Sequence, residues 1–372
     1  MSAKFFQIQA RDKSTDARQG IVTTDHGQFE TPVFMPVGTA GAVKAMPHQF
    51  LEDLKANVIL ANTYHLYLRP GLEVIKSHGG LHQFMSWDRT ILTDSGGYQV
   101  YSQRDLCKIN EEGVEFKSHL DGSSHFLTPE KAIQFQQAFG ADVIMVLDDC
   151  TPYPASESEA KESMHRSMRW AKRCKEEHCN QKSALFGIVQ GGGFLNLREE
   201  SLARLVEIGF SGLALGGFGV GEPQSLMYQL IEQLNKRMPE EKPRYLMGIG
   251  TPLDLFYCVR QGIDMFDCVL PTRNARNGML FTSRGPIRIK NSRYRDDQQA
   301  LDPNCKCFVC QRYTRSYLRH LYVSGEITSH ILNTCHNVHF YLNLMSKIRQ
   351  SIALNSLLQL ETDFRKRYAE ST

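Results

Sequence analysis

Gly262-Ile-Asp-Met-Phe-Asp-Cys-Val-Leu-Pro-Thr-Arg-Asn-Ala-Arg-Asn-Gly278 places an acid inside an apolar run and follows it with basic residues. Met265–Leu270 reads as a buried β-strand, which makes Asp267 an interior carboxylate. Such a group costs free energy unless it is paired or used. From Arg273 to Arg295 there are seven Arg or Lys residues and no acid. This stretch reads as a basic loop. A basic surface beside a buried carboxylate points to chemistry performed on a polyanion.

Upstream, seven further β-type runs recur: Val33–Val37, Val58–Leu60, Thr90–Thr93, Val143–Leu147, Leu185–Val189, Gly212–Leu215 and Tyr245–Met247. Helical stretches lie between most of them. Thr128-Pro129-Glu130 and Thr251-Pro252 carry helix-start signals. Pro223 to Met238 places Leu226, Leu230, Ile231 and Leu234 on one face. Eight strands alternating with helices predict an α/β fold, a (β/α)8 TIM barrel. An open doubly wound sheet is disfavoured, because no Gly-x-Gly-x-x-Gly follows the first strand. The barrel is expected over 1–292. A hairpin insertion at about 107–127 turns at Asp121-Gly122. A zinc-binding subdomain follows over 293–340, and a C-terminal helix in 341–372, from Leu342 to Tyr368, completes the barrel.

A chain of 372 residues can bury a large core, and a net charge of only +3 means that a nucleic-acid contact must come from local clustering. The first residues hold no apolar stretch fit for a signal peptide, and no run approaches membrane-spanning length. Three of the ten cysteines form Cys305-x-Cys307-x-x-Cys310. Cytoplasmic localisation and metal-bound thiolates are the expectation. Three thiolates in so short a span point to structural zinc. Its fourth ligand is open between Cys335 and His336, with His320, His330 and His339 behind them.

In a barrel, chemistry collects at the carboxyl ends of the strands. Those positions read Asn62, Asp94, Asp148-Asp149, Gln190-Gly191-Gly192-Gly193, Gly216-Gly217, Gly248 and Asp267. Asp94-Ser-Gly-Gly97 alone is explained by a turn; its place after a strand favours a site. A carboxylate such as Asp148 matches the paired N–H donors of a guanine-like edge. An amide at Gln190 and backbone N–H groups at the glycines can read the acceptor side. Tyr98 and Met247 suit a flat ring. Two acids at separate strand ends fit displacement at a sugar anomeric carbon, one as nucleophile and one as general acid/base. A metal-dependent hydrolase is the competing use, but no His-x-His pair is present. Arg312, Tyr313, Arg315, Tyr317, Arg319 and His320 interleave charge and rings on an expected helix, fit for RNA or for a subunit contact.

Five stretches resemble one family: Ala61-Asn-Thr-Tyr-His-Leu66, Leu92-Thr-Asp-Ser-Gly-Gly-Tyr-Gln99, Tyr245-Leu-Met-Gly-Ile-Gly250, Phe266-Asp-Cys-Val-Leu-Pro-Thr-Arg273 and the cysteine cluster. The chain is similar to the tRNA-guanine transglycosylases (queuine tRNA-ribosyltransferases), of bacterial type, over nearly its whole length. The resemblance implies a zinc-containing barrel that replaces guanine by a 7-deazaguanine at the wobble position of tRNAs with a G-U-N anticodon. It implies Asp267 as nucleophile and Asp94 as general acid/base. It implies Asp148, Gln190 and Gly217 as readers of the base edge, with Tyr98 and Met247 around the ring. Arg273 and Arg276 match contacts to the flanking uridines, and His336 matches the fourth zinc ligand. Tyr313, Tyr317 and His320 match a homodimer contact. Cys150 and Val220 resemble members that use 7-aminomethyl-7-deazaguanine (preQ1), whereas Asp149 resembles those that take queuine. Phe218-Gly219 departs from the usual pattern of Leu followed by Ala or Ser. The expectation is preQ1 insertion within queuosine biosynthesis, with direct queuine insertion or a non-catalytic tRNA-binding partner subunit as the other readings.

Overall fold

The computed structural model describes residues 4–101, 107–180 and 182–369. Its centre is a parallel sheet that closes on itself, and the eight expected strand positions build it. The first strand is split into Val33–Met35 and Val37–Gly38. Pro36 causes the break, because it brings no N–H to the ladder. The first half pairs with the eighth strand, Met265–Asp267, in the register Met265↔Val33 to Asp267↔Met35. The second half pairs with the second strand, Val58–Ala61. One interrupted strand therefore closes the barrel. Val58–Ala61, Thr90–Thr93, Ala184–Val189 and Gly212–Leu215 are buried at every position, as strands covered on both faces must be.

Three strands stop earlier than their apolar runs. The fourth is Val143–Met145, the seventh ends at Leu246 and the eighth at Asp267. The expected basic loop begins as a helix, Leu270–Arg276, with Pro271 in its first turn and Arg273 and Arg276 in its last. Proline in a first turn loses no helix bond, so the run Val-Leu-Pro starts a helix where apolar periodicity alone reads strand. The starts at Thr128 and Thr251 behave as expected. Thr128 accepts from Lys131 N, and Thr251 forms a capping box with Asp254. After the third strand, Cys107–Ile109, Val114–Lys117 and Ser124–Leu127 form a three-stranded antiparallel insertion.

The C-terminal region differs from the single helix expected from Leu342 to Tyr368. One helix runs Ile327–Ala353 and a second Leu357–Ala369, separated at Asn355, which has a positive φ of 56°. The boundary expected near 340 thus falls inside a helix. Phe308–Arg312 and Arg315–Val323 precede it as two short helices, where one was expected.

A three-stranded sheet (Phe6–Arg11, Arg18–Thr24, Gly27–Thr31) meets the amino ends of the barrel strands. Arg18 and Asp264 form a buried bidentate pair at 3.0 and 2.5 Å. Asp264 Oδ2 also accepts Arg244 N, and Arg18 donates to the carbonyls of Glu240 and Lys242. His26 Nδ1 lies 2.7 Å from Asp142 Oδ1, just before the fourth strand. Arg18→Met leaves Asp264 buried without its cation and is expected to lower stability by about 3–5 kcal/mol; urea unfolding followed by circular dichroism measures it.

Candidate active site

Asp94 follows the third strand and is buried. Its carboxylate accepts from Asn62 Nδ2, from Thr63 N at 2.9 Å and from Gln99 Nε2 at 2.8 Å. Burial pushes its pKa up to about 6; these three donors oppose the rise and the Asp267 charge adds to it. Asp267 ends the eighth strand. Tyr245 Oη, from the seventh strand, and Gly248 N, from the loop after it, both donate to its Oδ1, at 2.7 and 2.9 Å. No donor meets Oδ2 among the described residues. Burial also raises the Asp267 pKa, against the pull of those two donors. One acid is thus wrapped by donors on both oxygens, while the other is anchored through one oxygen with its second left open.

Asp148 lies beyond the fourth strand and accepts from Gln190 Nε2 at 2.6 Å. Burial raises its pKa to about 7, with Asp149 and Asp94 contributing repulsion. Asp149 turns away: its carboxylate binds Arg166 Nη1 at 2.6 Å. Gly217 lies against the Gln190 side chain, where a Cβ would meet Gln190 Oε1 at 2.5 Å, and its φ is +65°. Only glycine fits there. Tyr98 is 51% exposed and feels the charges of Cys150, Arg273 and Asp267, while Met247 is half-buried on the rim. Cys150 is buried. Val220 N and Gly219 N donate to the two oxygens of Glu222. Arg273 is exposed, and Arg276 Nη1 is held by the Thr272 carbonyl at 2.8 Å. Asp94 thus feels the Asp267 charge, Asp148 that of Asp94, and Tyr98 those of Cys150, Arg273 and Asp267, with Gln190 bonded to Asp148.

Asn62, Gln99, Tyr245, Arg198 and Glu222 hydrogen-bond directly to these residues and were not assigned roles from sequence. Arg198 had a visible signal: it shares one helix face with Ser201, Leu202 and Leu205, where a charge does not belong. Tyr245 had none, because its partner lies 22 residues away on the next strand.

At the other end of the chain, Cys305, Cys307, Cys310 and His336 form a group able to hold a metal ion. His336 Nδ1 lies 3.9, 3.6 and 3.3 Å from the three sulfurs. Bonds of about 2.3 Å to sulfur and 2.0 Å to nitrogen in a tetrahedron need roughly 3.6 Å. His336 Nε2 lies 2.7 Å from the Phe281 carbonyl, which fixes the proton on Nε2 and frees Nδ1 for a metal. Cys335 is buried but outside the group, and His339 reaches only Cys305. The choice left open between Cys335 and His336 falls to His336.

The model of the queuine tRNA-ribosyltransferase family matches residues 12–370. The chain belongs to this family. It is 53% identical over 369 residues to the queuine tRNA-ribosyltransferase of Caldanaerobacter subterraneus subsp. tengcongensis, covering 99% of this chain and 98% of that protein. Queuine tRNA-ribosyltransferases of Acinetobacter baylyi and Francisella tularensis subsp. novicida are each 53% identical, over 95% and 96% of this chain and 92% and 97% of theirs. It is therefore an enzyme of the tRNA-guanine transglycosylase family. Among the described residues no helix is long and apolar enough to cross a membrane.

The raised Asp148 pKa has a stability consequence. Between the unfolded value of 3.8 and about 7, the folded state holds a proton that the unfolded state releases, so stability falls as pH rises through that window. Asp148→Asn is expected to raise Tm by roughly 2–5 °C at about pH 8, with the gain vanishing near pH 4. Calorimetry across pH checks this.

Proposed function

We propose that the chain exchanges guanine at the wobble position of G-U-N tRNAs for preQ1 through a covalent ribosyl-aspartate. The observation that carries this is the unequal treatment of two acids in one cleft. Asp267 Oδ2 attacks C1′ of the ribose as the C1′–N9 bond breaks. Asp94, with its pKa near 6, gives its proton to the departing guanine. The incoming base returns a proton to Asp94 and attacks C1′, and the Asp267–C1′ bond breaks. Asp148 accepts from the N1–H and N2–H edge, while Gln190 and the Gly217 N–H read the opposite edge. Tyr98 and Met247 cover the ring faces, and Cys150 and Val220 lie near the 7-substituent. Arg273 and Arg276, one turn apart on Leu270–Arg276, hold the neighbouring uridines of the anticodon loop.

Glu222 supports a base with a 7-aminomethyl group, which preQ1 and queuine share; the preference for preQ1 rests on Cys150 and Val220. Glu222 fixes the Gly219 N–H, and in a trans peptide the Phe218 carbonyl then points the other way. That carbonyl is an acceptor suited to a cationic aminomethyl group. The Phe218 ring lies against Arg198, its centroid 3.9 Å from the guanidinium carbon.

Zn2+ is the ion whose geometry the Cys305, Cys307, Cys310 and His336 donors fit. Four protein ligands close the site, so the metal supplies folding energy and not bond chemistry. Tyr313 and Tyr317, stacked at 5.4 Å, lie with His320 on the surface we assign to a homodimer. A cytoplasmic location fits the tRNA substrate and the absence of disulfides among the described residues.

The purified chain alone is expected to incorporate labelled guanine into a G-U-N tRNA, to lose at least about 1,000-fold in rate with Asp267→Ala, and to prefer preQ1 to queuine by kcat/KM. Exchange only with a second protein added would instead assign it the partner role. About one zinc per chain is expected by metal analysis, lost in Cys307→Ser together with thermal stability of the C-terminal region.

A further inference from the structure

Arg198 is fully buried, yet among the described residues it forms no ion pair. Its Nε donates to the Gly192 carbonyl at 2.7 Å, Nη1 to Gly216 at 2.9 Å and Nη2 to Gly217 at 3.1 Å. The Phe218 ring covers the guanidinium face. Burying a cation with no acid in contact is costly; carbonyl dipoles, an aromatic face and the more distant Glu222 charge offset it here. A neutral side chain would fill the space at less cost, so the charge has another use.

The carbonyls it binds belong to two separate loops, one after the fifth strand and one after the sixth. Backbone of the first loop approaches so closely that a Cβ on Gly191 would lie 2.7 Å from Arg198 N. In a trans peptide the N–H points opposite to the carbonyl. With the Gly216 and Gly217 carbonyls turned into the guanidinium, the N–H groups of Gly217 and Phe218 are turned away from it. No described residue accepts the Gly217 N–H. The Gln190 Oε1 beside it is likewise buried without a partner.

We infer that Arg198 is a positioning residue that aims the Gly217 N–H at the base edge and fixes the spacing of the two glycine loops, with Phe218 as its platform. This rests on the proposed reading of Gln190 and Gly217 as base contacts. The planar fork is essential, since three carbonyls on two loops are bound at fixed angles; a lysine ammonium cannot span them. The N–H it aims should matter most for the acceptor at position 6 of the base, a strong oxygen in guanine and a weak sulfur in 6-thioguanine.

The test is exchange kinetics on Arg198→Lys, Phe218→Leu and Gln190→Ala. Arg198→Lys is expected to raise the guanine KM about tenfold and leave the tRNA KM within about twofold. Its preference for guanine over 6-thioguanine should shrink toward unity. Phe218→Leu keeps the guanidinium, weakens its support, and should show the same split at about threefold; it carries the test if Arg198→Lys does not fold. If Gln190→Ala raises the guanine KM while Arg198→Lys and Phe218→Leu keep the wild-type KM and preference, the positioning role is wrong. If Gln190→Ala also leaves the guanine KM unchanged, the base-edge reading falls and this inference with it.

Discussion

Closure of the sheet between Val33–Met35 and Met265–Asp267 is the contact on which the rest depends. Its register sets Asp267 level with Met35 at the rim. Pro36 lets the same strand turn to meet Val58–Ala61, whose end carries Asn62, the donor to Asp94. The two acids thus come from strands far apart in sequence, yet both are fixed by the one seam. Had the sheet stayed open, each would sit at a solvated strand end with an ordinary carboxylate pKa. Closure makes them share a cleft, where burial raises both and the charge of one acts on the other.

The same rigidity reaches the basic helix and the metal group. Helix Ile327–Ala353 presents His336 to the three cysteines from one turn. The next residue, Asn337, donates to the carbonyls of Pro271 and Met279. Further along, Tyr341 donates to Gly250, in the loop after the seventh strand. The cysteine–histidine group, the Leu270–Arg276 helix and the loop after the seventh strand are therefore braced by one helix.

Much of this was legible in the chain. Parallel strands buried on both faces leave continuous apolar runs, so all eight strand positions could be read, as could the acids at their ends. The three cysteines were legible because their spacing is local. Endings were less so: Val-Leu-Pro after Asp267 reads as strand until Pro271 is recognised as a helix start. The support around the acids was hidden for a physical reason. Tyr245 and Asn62 act through contacts between strands that exist only once the barrel closes, and neither has a spacing rule. Spacing alone left His336 and Cys335 open and the resemblance pointed to His336; the fold adds the physical reason, the Phe281 carbonyl that fixes the histidine tautomer. Phe218 shows the limit of position alone: in sequence it is only a departure from the usual Leu, and in the structure its ring lies against an arginine.

The central claim is that the open oxygen of Asp267 becomes bonded to ribose. The direct measurement uses a G-U-N anticodon stem-loop and a guanine analogue with carbon at position 9, which can fill the base site but cannot re-attack the sugar. Mass spectrometry of the trapped, protease-digested complex should then place the ribose on the peptide that contains Asp267. Attachment to the Asp94 peptide, or release of guanine with no covalent RNA adduct, would contradict the account.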